Sequence, residues 1–303
     1  MSHHHGHSHR TRSSRALGLV LALTVVYTVA EIAGGLLTGS LALLADGGHM
    51  IGDSVALGLA LGASWLAGRP ATPKRSFGYR RAEILAALAN GVALVAIAIW
   101  VFAEAIMRLD HPPRILAGWM LGVALAGLGV NIAAAGILAR VSEENLNVQA
   151  ALRHVFADLA GSAGVVTAAL VVLATGWRQA DPLAGMAIAL LILGSSWTIL
   201  RDSVAILLET TPAGIDAQEL GRRMAAAEGV VEVHDLHIWT ITSGFPTLSA
   251  HVLVGRGDDC HARRRELEEL LRSEFGIEHT TLQVEHAGER DGLKITQVRR
   301  ENQ

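Results

Sequence analysis

Residues 41–66 read LALLADGGHMIGDSVALGLALGASWL, and residues 146–163 read LNVQAALRHVFADLAGSA. Each stretch is apolar enough to sit in a membrane helix, yet each carries one His-x-x-x-Asp: His49 with Asp53, and His154 with Asp158. Side chains four apart on a helix lie one above the other, about 5–6 Å between Cβ atoms, so each helix offers an imidazole and a carboxylate in the same direction. Two such helices face to face supply four nitrogen and oxygen ligands, the set that Zn2+ takes tetrahedrally, with Cd2+ and Co2+ as chemical relatives. One pair alone would read equally well as hydrogen-bonded glue between helices. An aspartate at the centre of a span costs about 2.5–3.5 kcal/mol on insertion scales, and such groups usually mark an ion pathway. Two identical pairs therefore argue for a metal site.

The rest of the chain supplies the membrane. Of its 303 residues, 51% are hydrophobic and 17% charged, against roughly 25% charged in an ordinary soluble domain. Stretches near the ~20 residues that a bilayer requires fall at about 16–38, 41–66, 83–107, 116–139, 149–174 and 183–208. The first follows a basic start, but it is far longer than the roughly 7–15 apolar residues of a signal peptide. Charge is partitioned sharply. Residues 1–208 hold 14 Lys/Arg and 11 Asp/Glu, whereas residues 209–303 hold 11 and 17. A front part near +3 and a back part near −6 argue against a nucleic-acid binder. The single cysteine, Cys260, excludes a disulfide scaffold and a cysteine-based zinc cluster.

Basic residues in the short loops orient the bundle. With the N-terminus inside, the inner side carries ten of them, including Arg10, Arg12, Arg15, Arg69, Lys74, Arg75, Arg80 and Arg81, while the outer loops carry only Arg108, Arg114 and Arg178. Both termini are then expected in the cytoplasm. The N-terminal tail, 1–15, holds His3, His4, His5, His7 and His9; it is expected to be disordered and reads either as an expression tag or as a native metal-sequestering segment.

From position 209 the pattern is that of a small α+β domain: helix 216–227, strands 230–241 and 247–254, a charged amphipathic helix 260–275, and a last strand 280–286. Helices should cover one sheet face. A tail follows at 291–303. His234, His237, His251, His279, Glu285 and His286 cluster on or beside these strands as candidate metal ligands, although strict alternation sends His234 and His237 to opposite faces. Asp46, one turn before His49, reads as an acceptor for the imidazole N–H or as a helix cap. Glu31, Glu83, Asn90, Glu104 and Asn131 read as interhelical hydrogen-bonding groups, and Gly34, Gly35, Gly58 and Gly62 as points of close helix packing.

The segments LLADGGHMIGDSVALGLALGASWLA, RSFGYRRAEILAALANG and NLNVQAALRHVFADLAGS, Asp181-Pro182, and VHDLHIWTITSG strongly resemble the cation diffusion facilitator family, over about residues 15–286, and most closely its bacterial zinc, cadmium and cobalt exporters. The resemblance implies a six-helix membrane bundle with a cytoplasmic ferredoxin-like, metallochaperone-like domain, a homodimer in the bacterial inner membrane, and exchange of a cytoplasmic divalent metal for protons. It implies that His49, Asp53, His154 and Asp158 form the transport site, with His at both helix positions as in the zinc type. It also implies that His234, His237, His251 and Glu285 bind regulatory metal. Zn2+ is thus expected as substrate and regulatory ligand, with no organic cofactor. Residues 67–82 contain no His, Asp, Glu or Cys, so no metal site is expected there. Two other readings use the same ligands: a membrane metal sensor, and an intramembrane metalloenzyme, for which the His-Glu-x-x-His arrangement is missing.

Overall fold

A computed structural model describes residues 6–67, 69–140 and 146–287. Six long helices come first: α1 (Gly6–Thr38), α2 (Leu41–Ala67), α3 (Ala82–Asp110), α4 (Ala117–Ala139), α5 (Leu146–Thr175) and α6 (Ala180–Leu207). Then follow α7 (Ala217–Ala225), β1 (Val230–Thr240), β2 (Pro246–Val254), α8 (Cys260–Phe275) and β3 (His279–His286). Among the described residues, α1, α3, α4, α5 and α6 each hold a stretch long and apolar enough to cross a bilayer. The tail expected over 1–15 differs from the structure: helix α1 already begins at Gly6, and His3, His4 and His5 lie outside the described residues.

The chain forms two compact units, 1–63 with 86–201, and 64–85 with 202–303. The α2–α3 connection belongs with the C-terminal residues rather than with the rest of the helical region. The ties are polar: the Thr242 hydroxyl donates to Glu83 at 2.6 Å, and Arg81 lies 2.6 Å from Glu209. Glu83 thus serves a loop contact rather than a bond between membrane helices, and Glu104 pairs within its own helix with Arg108 at 2.8 Å.

In the helical unit, a core of Leu41, Leu43, Leu94, Val101, Met120, Val165, Ile188 and Ile192 joins α2 to α6. The start of α2 is fixed from a distance. Asp181, fully buried at the start of α6, accepts from the Ser40 hydroxyl at 2.5 Å and from the amides of Leu41 and Ala42 at 2.8 and 3.2 Å. The first amides of a helix have no partner in their own helix, and an acidic side chain there also meets the positive end of the helix dipole. A second tie runs from Asn131 on α4 through the Ser162 hydroxyl on α5 to Asp46 on α2, at 3.1 and 3.3 Å. Gly127 gives α1 its close approach, since a Cβ there would collide with the Tyr27 ring. A Cβ at Gly34 would meet Val123 at 2.9 Å, whereas among the described residues nothing lies within 4 Å of one at Gly58 or Gly62.

In the other unit, β1 pairs antiparallel with β2, and β2 parallel with β3 across the α8 connection. Alternate residues Leu248, Ala250, Val252 and Val254 of β2 pack with Leu220, Met224, Leu267 and Leu271 of the two helices, so both helices cover one face. Each helix has a side-chain cap: Asp216 accepts from the amides of Gln218 and Glu219, and Asp259 from those of His261 and Ala262. These amides hold the Asp259 carboxyl below the ordinary carboxylate range. Its stabilisation is complete above that range and is lost as pH falls through the lowered value.

Removing the distant cap of α2 has a measurable cost. Asp181→Ala leaves two amides and a hydroxyl unpaired in an apolar setting and should destabilise the helical unit by about 2 kcal/mol. Asp181→Asn, which keeps one acceptor oxygen, should cost less. Thermal unfolding in detergent gives the order wild type, Asn, Ala.

Candidate metal centre

Helices α2 and α5 bring the two His-x-x-x-Asp pairs together. His49 Nε2 lies 3.6 Å from Asp53 Oδ2 and 3.9 Å from Asp158 Oδ1. His154 Nε2 lies 3.1 Å from Asp53 Oδ2 and 3.7 Å from Asp158 Oδ2. Each imidazole is therefore placed between both carboxylates, and each carboxylate between both imidazoles. The two rings meet edge to face with centroids 6.2 Å apart. Zn–N and Zn–O bonds of about 2.0–2.1 Å place neighbouring tetrahedral ligand atoms about 3.3 Å apart. The four N···O separations bracket that spacing, but His154 stands outside the set whose ligand atoms all lie within 4.8 Å of one another, so closing all four on a cation requires it to move inward.

Two atoms show what is missing from the protein's own hydrogen bonding. His49 Nδ1 and Asp158 Oδ1 are buried without a hydrogen-bond partner. A buried polar atom left in this way is costly, and a divalent cation would satisfy the carboxylate oxygen directly. His49, Asp53 and Asp158 present ligand atoms within 4.8 Å of one another. His154 is the open side of the group, its side chain 48% exposed against 9% for Asp158. Asp46 Oδ2 accepts from Ser162, tying α2 to α5, while His49 Nδ1 has no hydrogen-bond partner.

The sheet histidines follow a different logic. Strand β1 has a register shift between His234 and His237, which pair with His251 and Ser249, two residues apart on β2. The extra residue puts His234 and His237 on the same face, so the alternation expected from sequence fails at a β-bulge. Asp235, in the bulge with φ of 52°, lies 2.9 Å from His237 Nε2 and 3.8 Å from His251 Nε2, while the His234 and His251 rings stand 5.4 Å apart. Asp235 is the member that sequence reasoning missed; an acid between two histidines was its only signal. Glu285 pairs with Leu253 in the parallel register and its side chain contacts Gln283. His279 packs between Phe77 and Phe245. His286 lies 3.5 Å from the Cys260 sulfur and 3.0 Å from the Asp258 carbonyl.

Known proteins share this organisation. Residues 17–208 match the family described as the cation efflux transmembrane domain, and residues 212–287 that described as the cation efflux protein cytoplasmic domain. The chain is 39% identical over 305 residues to the cadmium, cobalt and zinc/H(+)-K(+) antiporter of Bacillus velezensis, spanning 98% of this chain and 97% of that one. It is 40% identical over 284 residues to the metal cation efflux system protein CzcD of Cupriavidus metallidurans, spanning 93% and 90%. Against the zinc transporter ZitB of Escherichia coli the identity is 42% over 292 residues, spanning 94% and 93%. A solved structure of the metal-bound C-terminal domain of the Cupriavidus CzcD transporter aligns with 23% of this chain and 99% of its own, at 36% identity and a TM-score of 0.23.

Each of the four side chains should matter to metal affinity. Asp53→Ala and Asp158→Ala each remove a charged ligand and should weaken Zn2+ binding at this site by more than about a hundredfold, beyond the 10–100-fold range typical of groups that only support a ligand. Asp46→Asn, outside the ligand group, should weaken it far less. Calorimetric titration of the full chain in detergent reads both.

Proposed function

This chain belongs to the cation efflux, or cation diffusion facilitator, family of secondary transporters, and from that premise we propose that it exports Zn2+ from the cytoplasm in exchange for protons. The supporting observation is the alternating group of two imidazoles and two carboxylates on α2 and α5, with N···O separations of 3.1 to 3.9 Å. Relatives named for zinc, and for cadmium, cobalt and zinc against protons and potassium, support the metal and the antiport. Nitrogen and oxygen donors in tetrahedral reach suit Zn2+, with Cd2+ and Co2+ as further substrates.

The mechanism is charge compensation at one site. With a divalent cation bound, two carboxylates and two neutral imidazoles leave no net charge in the membrane. When the site opens outward, His49 and His154 accept protons and repel the cation. The return passage then carries protons in place of the metal, because two bare carboxylates in an apolar interior are costly. Export of metal thereby requires entry of protons. The excess of Lys and Arg in one set of loops supports cytoplasmic termini. In this reading the chain works as a homodimer in the inner membrane, and the His234, His237, His251 and Asp235 group on the open sheet face takes regulatory Zn2+.

Everted membrane vesicles test the coupling. With an acidic interior they should accumulate Zn2+ against its gradient, and collapse of the pH difference should abolish accumulation. Asp158→Ala should fall to the level of vesicles without the protein. Accumulation that persists without any proton gradient would contradict the mechanism. Binding without flux in proteoliposomes would favour a metal sensor.

A further inference from the structure

The connection between α2 and α3 is a folded structure with a charge that the transport reading does not use. Residues 69–81 contain Arg69, Lys74, Arg75, Arg80 and Arg81 and no acidic residue. The backbone is pinned by reciprocal bonds between Thr72 and Arg75, at 3.1 and 2.8 Å, and by the Gly78 amide donating to the Arg75 carbonyl at 2.9 Å. Gly78 takes φ of 66°, where a side chain would strain the turn. With the C-terminal residues of its own unit, this loop lines a cavity of about 450 Å³. Lys74, Arg75, Arg80 and Arg81 border it, together with Phe77 and Trp239.

Glu209 is the single acid on the cavity wall, and Arg81 already pairs with it at 2.6 Å. The other three cations have no carboxylate partner among the described residues. Arg75 donates to the neutral Tyr79 hydroxyl at 2.7 Å and lies over its ring; Arg80 lies over the Phe245 ring. Aromatic faces hold these two guanidinium groups in place while leaving N–H donors for a further acceptor. A fixed cavity with about three uncompensated positive charges calls for an anion with several oxygens, and guanidinium forks fit phosphate.

We propose that this cavity holds the phosphate of an anionic phospholipid headgroup. The source is chosen by position: the loop joins the ends of two long helices read here as membrane spans, so it stands at headgroup depth. Trp65, at the end of α2, is 67% exposed beside Arg69, whose guanidinium lies 4.2 Å from its ring centroid, an arrangement typical of a membrane–water interface. Cations near an anionic leaflet contribute about 1 kcal/mol each. The proposal rests on the reading of α2 and α3 as spans, and not on metal transport.

Native mass spectrometry of the full chain in detergent, offered equal amounts of phosphatidylglycerol and phosphatidylcholine, reads the preference without any flux. Wild type should retain phosphatidylglycerol selectively. Lys74→Gln/Arg75→Gln/Arg80→Gln should lower that preference about a hundredfold, as three cations at about 1 kcal/mol each imply. Arg140→Gln, an exposed cation at the end of α4, should leave it unchanged. If the triple variant fails to fold, Lys74→Gln/Arg80→Gln keeps the Arg75–Tyr79 bond and should still lower the preference about tenfold or more. Equal retention of both lipids by wild type, or an unchanged preference in a folded variant, overturns the proposal. Displacement of the lipid by millimolar inorganic phosphate would make this a soluble-phosphate site and overturn the lipid assignment. Loss of Zn2+ flux with the lipid preference intact would count against the transport reading alone.

Discussion

A carboxylate in an apolar helix bundle must be bonded, because hydrocarbon offers no water to replace what folding removes. That constraint places α2. Asp181 holds the amides of its first turn, and Asp46 holds Ser162 and, through it, Asn131 on α4. Both ties involve acids with almost no exposed surface. Between them they fix the rotation and height of α2 against α5, which is what brings His49 and Asp53 opposite His154 and Asp158.

The same constraint gives the candidate metal centre its character. Its two acids are each compensated by imidazoles at 3.1 to 3.9 Å rather than by a permanent cation such as Arg. An arginine in their place would neutralise the site permanently. In the proposed mechanism imidazole leaves the charge exchangeable, the same four side chains being balanced by one divalent metal or by protons. The exposed His154 edge and the buried Asp158 make the group open on one side, as an ion pathway requires.

The apolar runs and the repeated His-x-x-x-Asp were legible in the sequence because they depend on helix periodicity alone, which is local. The partners of Asp46, Asp181 and Glu83 were not, because each bond joins residues far apart in the chain. The sheet failed for a narrower reason. A period of two predicts which face a strand residue takes only while the register is unbroken, and the bulge at Asp235 breaks it between His234 and His237. The start of α1 at Gly6 was missed because composition, read as disorder, outweighed the continuity of the helix into the apolar run.

The central claim is that two imidazoles and two carboxylates from α2 and α5 bind the transported metal tetrahedrally. X-ray absorption of Zn2+ bound to the full chain, with His3, His4, His5, His7, His9, His234, His237, His251, His279 and His286 replaced by Ser, addresses it directly. The account predicts four neighbours at about 2.0–2.1 Å, two of them with the outer-shell scattering of imidazole rings. Six oxygen neighbours without imidazole scattering would contradict it.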